Sequence, residues 1–168
     1  MMKSLLLMII LQAGVASLHK AYLQHEPQKA HHGKQSDPLD CSEPWVEIKV
    51  AGCLLFQHLM ADWDAAREIC LELGGDLAVL EGNDQRWELA QYMANHSLVG
   101  MWYMGGNDRV GYWKWLNGQH IVDGWAFNQP NEDRGDDTCI YFQLSNFGFW
   151  DTPCTNLNNA LCQKPYIN

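Results

Sequence analysis

Six cysteines constrain what this chain can fold into more than any other feature of its sequence. They are Cys41, Cys53, Cys70, Cys139, Cys154 and Cys162. An even number of cysteines indicates a disulfide framework if the chain is secreted. Six cysteines can pair in fifteen ways, so the sequence leaves the connectivity open. No two of them have C-x-x-C spacing, which argues against a zinc ribbon or a thiol redox motif.

The N-terminal residues favour secretion. Lys3 precedes the short apolar run LLLMIIL, and small residues follow it in AGVAS. This order predicts a signal peptide over residues 1–17 and a secreted, extracellular protein. The apolar run is too short for a membrane-spanning helix, and no other stretch is long enough, so we expect no transmembrane segment. Residues 18–40 are polar, contain two prolines and show no apolar period, which predicts a flexible polar leader before a folded domain over residues 41–168.

Composition narrows the class of function. Hydrophobic residues make up 47% of the chain and eight residues are tryptophan, which argues against disorder. The formal net charge of −9 provides no basic surface for nucleic acid. The sequence has no G-x-S-x-G motif, no zinc-ligand motif and no histidine near a candidate nucleophile, so we expect a binding protein rather than an enzyme.

Two helices are predicted in the first half of the domain. Asp62 is the expected N-cap of the first helix, which ends at Gly74 and Gly75. Its expected apolar face consists of Ala65, Ala66, Ile69, Cys70 and Leu73. The second helix is expected to begin at Asn83. Its expected buried side consists of Trp87, Ala90, Met93 and Ala94.

Short strands are predicted around these helices, which together indicate an α+β domain. The predicted strands cover residues 45–50, 54–56, 76–80, 101–106 and 112–118, followed by three terminal segments containing CIYFQL, GFW and ALCQK. A long irregular segment separates the aromatic strands from Cys139. Loops of this length in a compact domain are usually functional or disordered, and Trp125 and Phe127 favour order here.

The end of that loop, residues 128–139, reads NQPNEDRGDDTC. Seven of these twelve residues carry an amide or carboxylate oxygen. The segment is either a solvated acidic turn or a cage for a hard cation such as Ca²⁺, which prefers oxygen ligands.

The spacing of several motifs resembles that of the C-type lectin-like domain. These are WDAAREICLELGGDLAVL, WYMGG, QPN and FWDTPC, and the similarity covers residues 41–164. The resemblance implies two helices with short antiparallel sheets and a long calcium- and sugar-binding loop. It also implies the pairs Cys41 with Cys53, Cys70 with Cys162, and Cys139 with Cys154. Trp102 and Met104 would then be packing residues.

The resemblance further implies a calcium site that also binds carbohydrate. Gln129 and Asn131 occupy the motif that reads E-P-N or Q-P-D in sugar-binding members, with Pro130 in the cis form between them. Asp137 lies two residues before Cys139, and Asp151 follows Trp150. These four side chains, Gln129, Asn131, Asp137 and Asp151, offer hard oxygen donors to Ca²⁺. Two sugar hydroxyls would complete the shell.

This sequence departs from the family pattern in three places. Q-P-N places amides on both sides of the proline, so the pair imposes no donor–acceptor direction. The asparagine of the family's W-N-D is missing, because Trp150 directly precedes Asp151. An auxiliary calcium site would retain Asp108 and Glu132, but Val110 and Thr138 stand near positions expected to be acidic. We therefore expect one weakly held calcium ion.

The function implied is a calcium-dependent lectin that recognises glycans on cell or microbial surfaces with mixed mannose and galactose selectivity. The alternative is a calcium-independent protein-binding module with a vestigial sugar site. A role in innate immunity is an expectation from the family. Weak single sites would favour a homo-oligomer.

Two further short motifs are Arg134-Gly135-Asp136 and Asn95-His96-Ser97. Arg134-Gly135-Asp136 is a tripeptide that integrins can recognise, but tripeptides recur by chance, and we do not assign it this role. Asn95-His96-Ser97 is an N-glycosylation sequon in a chain expected to be secreted, so Asn95 is a candidate glycosylation site.

Overall fold

The computed structural model describes residues 41–131 and 138–165. The predicted signal peptide and leader lie outside the described residues. So do Glu132, Arg134-Gly135-Asp136 and Asp137, and the predictions on them stay predictions.

The described strands form one eight-stranded sheet in the order β1-β2-β8-β4-β6-β7, with β3 beside β8 and β5 beside β4. Their bounds are β1 Val46–Ile48, β2 Gly52–Ala61, β3 Asp76–Leu77, β4 Trp102–Asn107, β5 Lys114–Trp115, β6 Thr138–Gln143, β7 Gly148–Pro153 and β8 Asn158–Gln163. The pairs are antiparallel except that β4 and β8 run parallel. With two helices in the described residues, this confirms the predicted α+β class.

Several predicted strands differ in extent from the observed ones. The segment 45–50 becomes a strand of three residues followed by a 3-10 turn at Lys49–Ala51. β2 extends to Ala61, well beyond the predicted residue 56. In the aromatic segment 112–118, only Lys114–Trp115 pairs with β4, because the chain folds back there: Gly118 N donates to Trp115 O at 2.9 Å.

Helix α1 spans Trp63–Glu72 and begins as predicted, since the Asp62 side chain accepts a hydrogen bond from Ala65 N at 2.8 Å. Gly74 follows the helix with φ +82°, a conformation that favours glycine. The buried face is Trp63, Ala66 and Cys70, whereas Ala65 and Leu73 are exposed, contrary to prediction. Trp63 Nε1 donates to Met104 O at 2.8 Å and so attaches the start of the helix to β4.

Helix α2 spans Asn83–Asn95, and its N-cap is Gly82 rather than Asn83. Its buried residues are Arg86, Leu89, Ala90 and Met93, which confirms Ala90 and Met93. Trp87 and Ala94 are exposed, so their predicted burial is wrong. The buried face is rotated because Arg86 enters the core with its charge paired, and Trp87 then packs edge-on against Phe147 at a centroid distance of 5.8 Å.

All three predicted disulfides are present, joining Cys41 to Cys53, Cys70 to Cys162, and Cys139 to Cys154. Cys70–Cys162 connects α1 to β8, and Cys139–Cys154 connects the start of β6 to the residue after β7. Trp102 and Met104 are fully buried, which confirms their packing role. No helix of the described residues is long and apolar enough to cross a membrane.

Candidate functional site

The segment before Gln129 runs alongside β7 and carries the Q-P-N motif to it. Phe149 N donates to Gly124 O at 2.8 Å, and Ala126 N donates to Phe149 O at 2.9 Å. Gly148 permits this approach, because a Cβ at that residue would lie 2.6 Å from Ala126 N. Gln129 N then donates to Ala126 O at 3.0 Å and turns the chain towards Asp151.

Two hydrogen bonds join the motif to Asp151. Gln129 Oε1 accepts from Asp151 N at 3.3 Å, and Asp151 Oδ1 accepts from Asn131 N at 3.0 Å. The peptide bond between Gln129 and Pro130 is cis, as the resemblance implied. Three of the four predicted ligand residues, Gln129, Asn131 and Asp151, therefore meet at one place. Asp137, the fourth, lies outside the described residues.

These three residues line a cavity of about 280 Å³. The other lining residues are Thr138, Tyr141, Trp150, Thr152, Pro153 and Asn156. None of these described lining residues is a lysine or arginine, and Asp151 is the only carboxylate among them. The cavity therefore suits a neutral polar ligand or a cation better than an anion.

Trp150 is the lining residue that distinguishes this site from the family pattern. Phe149, one residue earlier, is fully buried and packs edge-on against Trp115 at a centroid distance of 5.1 Å. Trp150 is half-buried and stacks on Tyr141, with centroids 6.3 Å apart and planes 18° apart. The missing asparagine is thus replaced beside Asp151 by an indole, which has an N–H donor and no oxygen to offer a metal.

The base of the cavity is held by Tyr103 and the turn after β7. Tyr103 donates from its hydroxyl to Asn156 O at 2.9 Å, and Asn156 Nδ2 donates to Thr152 Oγ1 at 2.6 Å. Burial raises the pKa of Tyr103 to about 12, so its hydroxyl stays protonated as a donor. Burial also raises the pKa of Tyr141, and the negative charge of Asp151 adds to that rise.

Sequence reasoning missed Thr138, Tyr141 and Trp150 as lining residues. The sequence indicates Thr138 only as a position where an auxiliary calcium ligand is lost, and Trp150 only as the residue before Asp151. Thr138 directly precedes Cys139, and Trp150 directly precedes Asp151. Their position in the chain beside predicted site residues was the signal that could have identified these two as lining residues.

The remnants of the auxiliary calcium site serve the backbone. Asp108 Oδ1 accepts from Thr138 N at 2.8 Å, and Asp108 N donates to Thr138 O at 3.1 Å. Val110 is 51% exposed and offers no side-chain oxygen. Glu132 lies outside the described residues, so the expectation of a single calcium ion stays a prediction.

A larger cavity of about 530 Å³ lies between the end of α1 and the end of β8. Its polar side chains are committed to the fold: Asp76 pairs with Arg67, Glu81 accepts from Asn117, and Gln163 bridges Val79 N and Ala51 O. The smaller cavity at Asp151 is therefore the better candidate, since it gathers the residues that the sequence singled out.

The metal-ligand chemistry of the described residues is limited. In residues 41–131 and 138–165, no three His, Cys, Asp or Glu side chains cluster so as to hold a metal ion. The candidate site instead combines one carboxylate, Asp151, with the two amides of Gln129 and Asn131.

Comparison with known proteins gives a family match that includes the described residues of the candidate site. The model of the family described as "Lectin C-type domain" matches residues 60–164. Human asialoglycoprotein receptor 2 is 28% identical over 142 residues, which cover 79% of this chain and 43% of the receptor. This chain thus spans less than half the length of that relative.

Two further similarities extend over most of both proteins. The galactose-specific lectin nattectin of Thalassophryne nattereri is 28% identical over 129 residues, covering 73% of this chain and 74% of nattectin. The solved structure of herring type II antifreeze protein has a TM-score of 0.61 and 26% identity, covering 74% of this chain and 98% of that one. The fold, the three disulfides and the family match agree, and the chain belongs to the C-type lectin domain family.

Proposed function

We propose that this chain is a calcium-dependent lectin that binds glycans at the cavity beside Asp151, without covalent chemistry. The observation that carries the proposal is a pair of hydrogen bonds at Asp151, whose backbone N donates to Gln129 Oε1 and whose carboxylate accepts from Asn131 N. They bring together, from segments about twenty residues apart, residues at the positions that the family uses for sugar binding. The similarity to nattectin, whose name describes a galactose-specific lectin, also supports carbohydrate as the ligand.

The described residues fit a calcium ion held by few ligands. Gln129, Asn131 and Asp151 provide hard oxygen donors, and Asp137 would provide a second carboxylate. A bound calcium ion would supply coordination positions for two neighbouring sugar hydroxyls.

The protein's own groups would orient the sugar. The side-chain carbonyl oxygen of Gln129 accepts a hydrogen bond from Asp151 N in β7. Its NH₂ group is therefore the end that can donate to a sugar hydroxyl. Asn131 is also an amide and can donate in the same way. Donors on both sides of the motif do not select strongly between mannose-like and galactose-like hydroxyl pairs, which is the basis for the mixed selectivity we propose.

The biological setting that we propose is extracellular. Secretion rests on the predicted signal peptide, and disulfides form in the same oxidising environment. Asn95 is exposed at the end of α2, and Ser97 is exposed beside it, so the sequon is accessible for glycosylation. The proposed ligands are glycans on cell or microbial surfaces, and the proposed role is in innate immunity. We also propose a homo-oligomer, because weak sites gain avidity when several act together.

The test combines calcium, sugar and one isosteric variant. We expect calcium at about 10 mM to stabilise the parent by about 1–3 kcal/mol, if its Kd is roughly 10⁻⁴–10⁻³ M. We also expect retention on a sugar column with calcium and release by chelator. Asp151→Asn keeps an oxygen that can accept from Asn131 N but removes the charge, so both effects should weaken sharply. Asp84→Asn removes an exposed carboxylate from α2 and is the matched control.

The second candidate is a calcium-independent protein-binding module. Trp150 favours it, because an indole beside Asp151 cannot replace the lost asparagine oxygen. Under this function, millimolar calcium leaves the melting temperature of the parent unchanged, and no sugar is retained on any column.

A further inference from the structure

Five exposed apolar side chains surround the start of β8, at the end of the sheet where β2 ends and β4 begins. They are Leu59, Met60, Val99, Met101 and Leu157, each between 44% and 75% exposed. We call these five residues the sheet-end patch. Single exposed apolar residues are ordinary in folded proteins, but a group of them at one place usually marks an interaction surface.

β2 contributes Leu59 and Met60 through a bulge. Ala61 pairs with Asn158 of β8, and the register shifts just before this pair, so three residues of β2 lie opposite a single residue of β8. Such a bulge bends the strand and changes where its side chains point. Leu157 directly precedes Asn158, which places it beside the end of β2.

The segment before β4 contributes Val99 and Met101 on the other side of β8. Met101 O accepts a hydrogen bond from Asn159 N at 3.1 Å, and a Cβ at Gly100 would lie 3.1 Å from Asn159 Nδ2. β8 lies between β2 and β4 in the sheet. The five residues therefore come from three segments that meet at the first residues of β8.

The patch lies in a part of the molecule without formal charge. The stretches 50–61, 89–107 and 152–163 contain no Lys, Arg, Asp or Glu, although these residues make up 18% of the chain. Burial accounts for this absence in the core, but it also holds for the exposed residues at this end of the sheet. The patch thus offers a partner apolar area and no ion pair.

The absence of charge favours a second copy of the chain as the occupant. Each chain has a formal net charge of −9, so two copies repel one another where their acidic surfaces come close. Contact through an uncharged patch keeps those surfaces further apart, and salt screens charges separated by more than about 10 Å. A basic partner would find no carboxylate in the patch, and anionic lipids would repel the acidic chain.

We propose that the sheet-end patch is the surface through which two copies of this chain form a non-covalent homodimer. A twofold axis would place each patch against the same patch of the other copy. All six cysteines are paired within the chain, so no thiol is left to link the copies. The inference rests on the homo-oligomer of the proposed function and assigns the surface that forms it.

Sedimentation velocity, with chelator and without sugar, tests the dimer independently of the carbohydrate site. We expect reversible dimerisation with a Kd of roughly 10⁻⁶–10⁻⁴ M, as for a small interface. Met60→Lys and Met101→Lys each place a charge in the patch and should weaken dimerisation at least about 10-fold. Leu71→Lys is the matched control, because Leu71 lies on α1 and is 44% exposed, as Met101 is. It should leave the Kd unchanged.

The lysine variants separate the patch from the net charge of the chain. Each of the three adds one positive charge and so reduces the overall repulsion between copies, which by itself would strengthen dimerisation. Met60→Gln and Met101→Gln repeat the test without a charge and should weaken dimerisation less. Melting temperatures measured well below the Kd should match that of the parent, because these side chains are exposed in the single chain.

The outcomes also separate the dimer surface from sugar binding. A parent that stays monomeric up to about 1 mM would overturn both the surface and the homo-oligomer. Asn95→Gln is measured beside it, so that a glycan at Asn95 cannot hide the dimer, and it should dimerise at least as tightly. Dimerisation that survives both lysine variants, or that Leu71→Lys weakens equally, would overturn the patch. A dimer that binds no sugar would support the patch and overturn the lectin function.

Discussion

The guanidinium group of Arg86 lies 3.3 Å from the carboxylate of Asp123 and connects helix α2 to the long loop that leads to the candidate site. Arg86 is almost fully buried, while the Asp123 side chain is 70% exposed. The same guanidinium donates to Glu81 O at 2.6 Å and lies 5.4 Å from the ring centroid of Phe149. One buried cation on α2 thus contacts the segment before that helix, the long loop and β7.

Replacing Arg86 should destabilise the domain more than replacing its partner. Arg86→Met retains part of the apolar stem but leaves the carbonyls of Leu80 and Glu81 without their donor. We expect a loss of about 1–3 kcal/mol for the buried carbonyl of Leu80 left unpaired, and less for that of Glu81, which is only partly buried. Asp123→Asn should cost less than about 1 kcal/mol, because its side chain is exposed. Denaturant unfolding measures both, and equal losses would contradict this account of Arg86.

Two of the three disulfides should differ in their contribution to stability. Cys70–Cys162 closes 92 residues and Cys139–Cys154 closes 15. In the chain-entropy model these closures contribute about 4.6 and 3 kcal/mol. The Cys70→Ser/Cys162→Ser variant should therefore be the less stable one in denaturant unfolding.

The Cys139→Ser/Cys154→Ser variant should loosen the loop end of the domain while the rest stays folded. Limited proteolysis should then cut near Arg134 before the helices are attacked. Simultaneous cleavage throughout the domain would show that the long loop is not a separable unit.

The ion pair between Asp64 and Arg109 should produce a small acid-dependent loss of stability. Both oxygens of Asp64 accept from Arg109 at 2.7 Å, and these hydrogen bonds lower the pKa of Asp64 despite its partial burial. A lowered folded-state pKa contributes stability above the ordinary value of 3.8, and this contribution is lost as the pH falls through the lowered pKa. Because the pair is largely exposed, we expect no more than about 1 kcal/mol.

The variant Asp64→Asn tests whether the ion pair with Arg109 contributes stability that is lost as the pH falls. Its unfolding free energy should fall less steeply than that of the parent between about pH 4 and pH 2. Glu72→Gln, at the other end of α1, serves as the control for removing a carboxylate. An identical acid limb for Asp64→Asn and the parent would contradict the assignment.

The Q-P-N motif should respond to single changes in a direction set by donor and acceptor chemistry. Gln129→Glu restores E-P-N and should shift preference towards mannose, while Asn131→Asp restores Q-P-D and should shift it towards galactose. Each also places a negative charge near the proposed calcium ion and should tighten its binding. Inhibition by monosaccharides across the three proteins measures the order. If neither change alters that order, the pair does not contact the sugar.

Much of this fold could be predicted from the sequence because its determinants are local or covalent. Asp62 caps α1 through a residue three positions away, and Gly74 ends the helix through its own backbone conformation. The cysteines alone leave fifteen pairings open, and the family resemblance implies the three that the structure contains. The same resemblance indicated Gln129 and Asn131 through the Q-P-N motif, and Asp151 through its position after Trp150.

What the sequence could not determine is which neighbouring residue faces the core. Helical periodicity indicates Trp87 as buried. Arg86 instead contacts Asp123, Glu81 and Phe149, so the core accepts the cation and Trp87 lies outside. Likewise Phe149 enters the core and Trp150 faces the candidate site, a choice made by packing against Trp115 and Tyr141. Residues distant in the chain determine which of two neighbours is buried, because the free energy of a buried charge or ring depends on what surrounds it after folding. The sequence by itself determined the family, the disulfide framework and the motif at Asp151, whereas the tertiary structure decided that Thr138, Tyr141 and Trp150 complete the cavity.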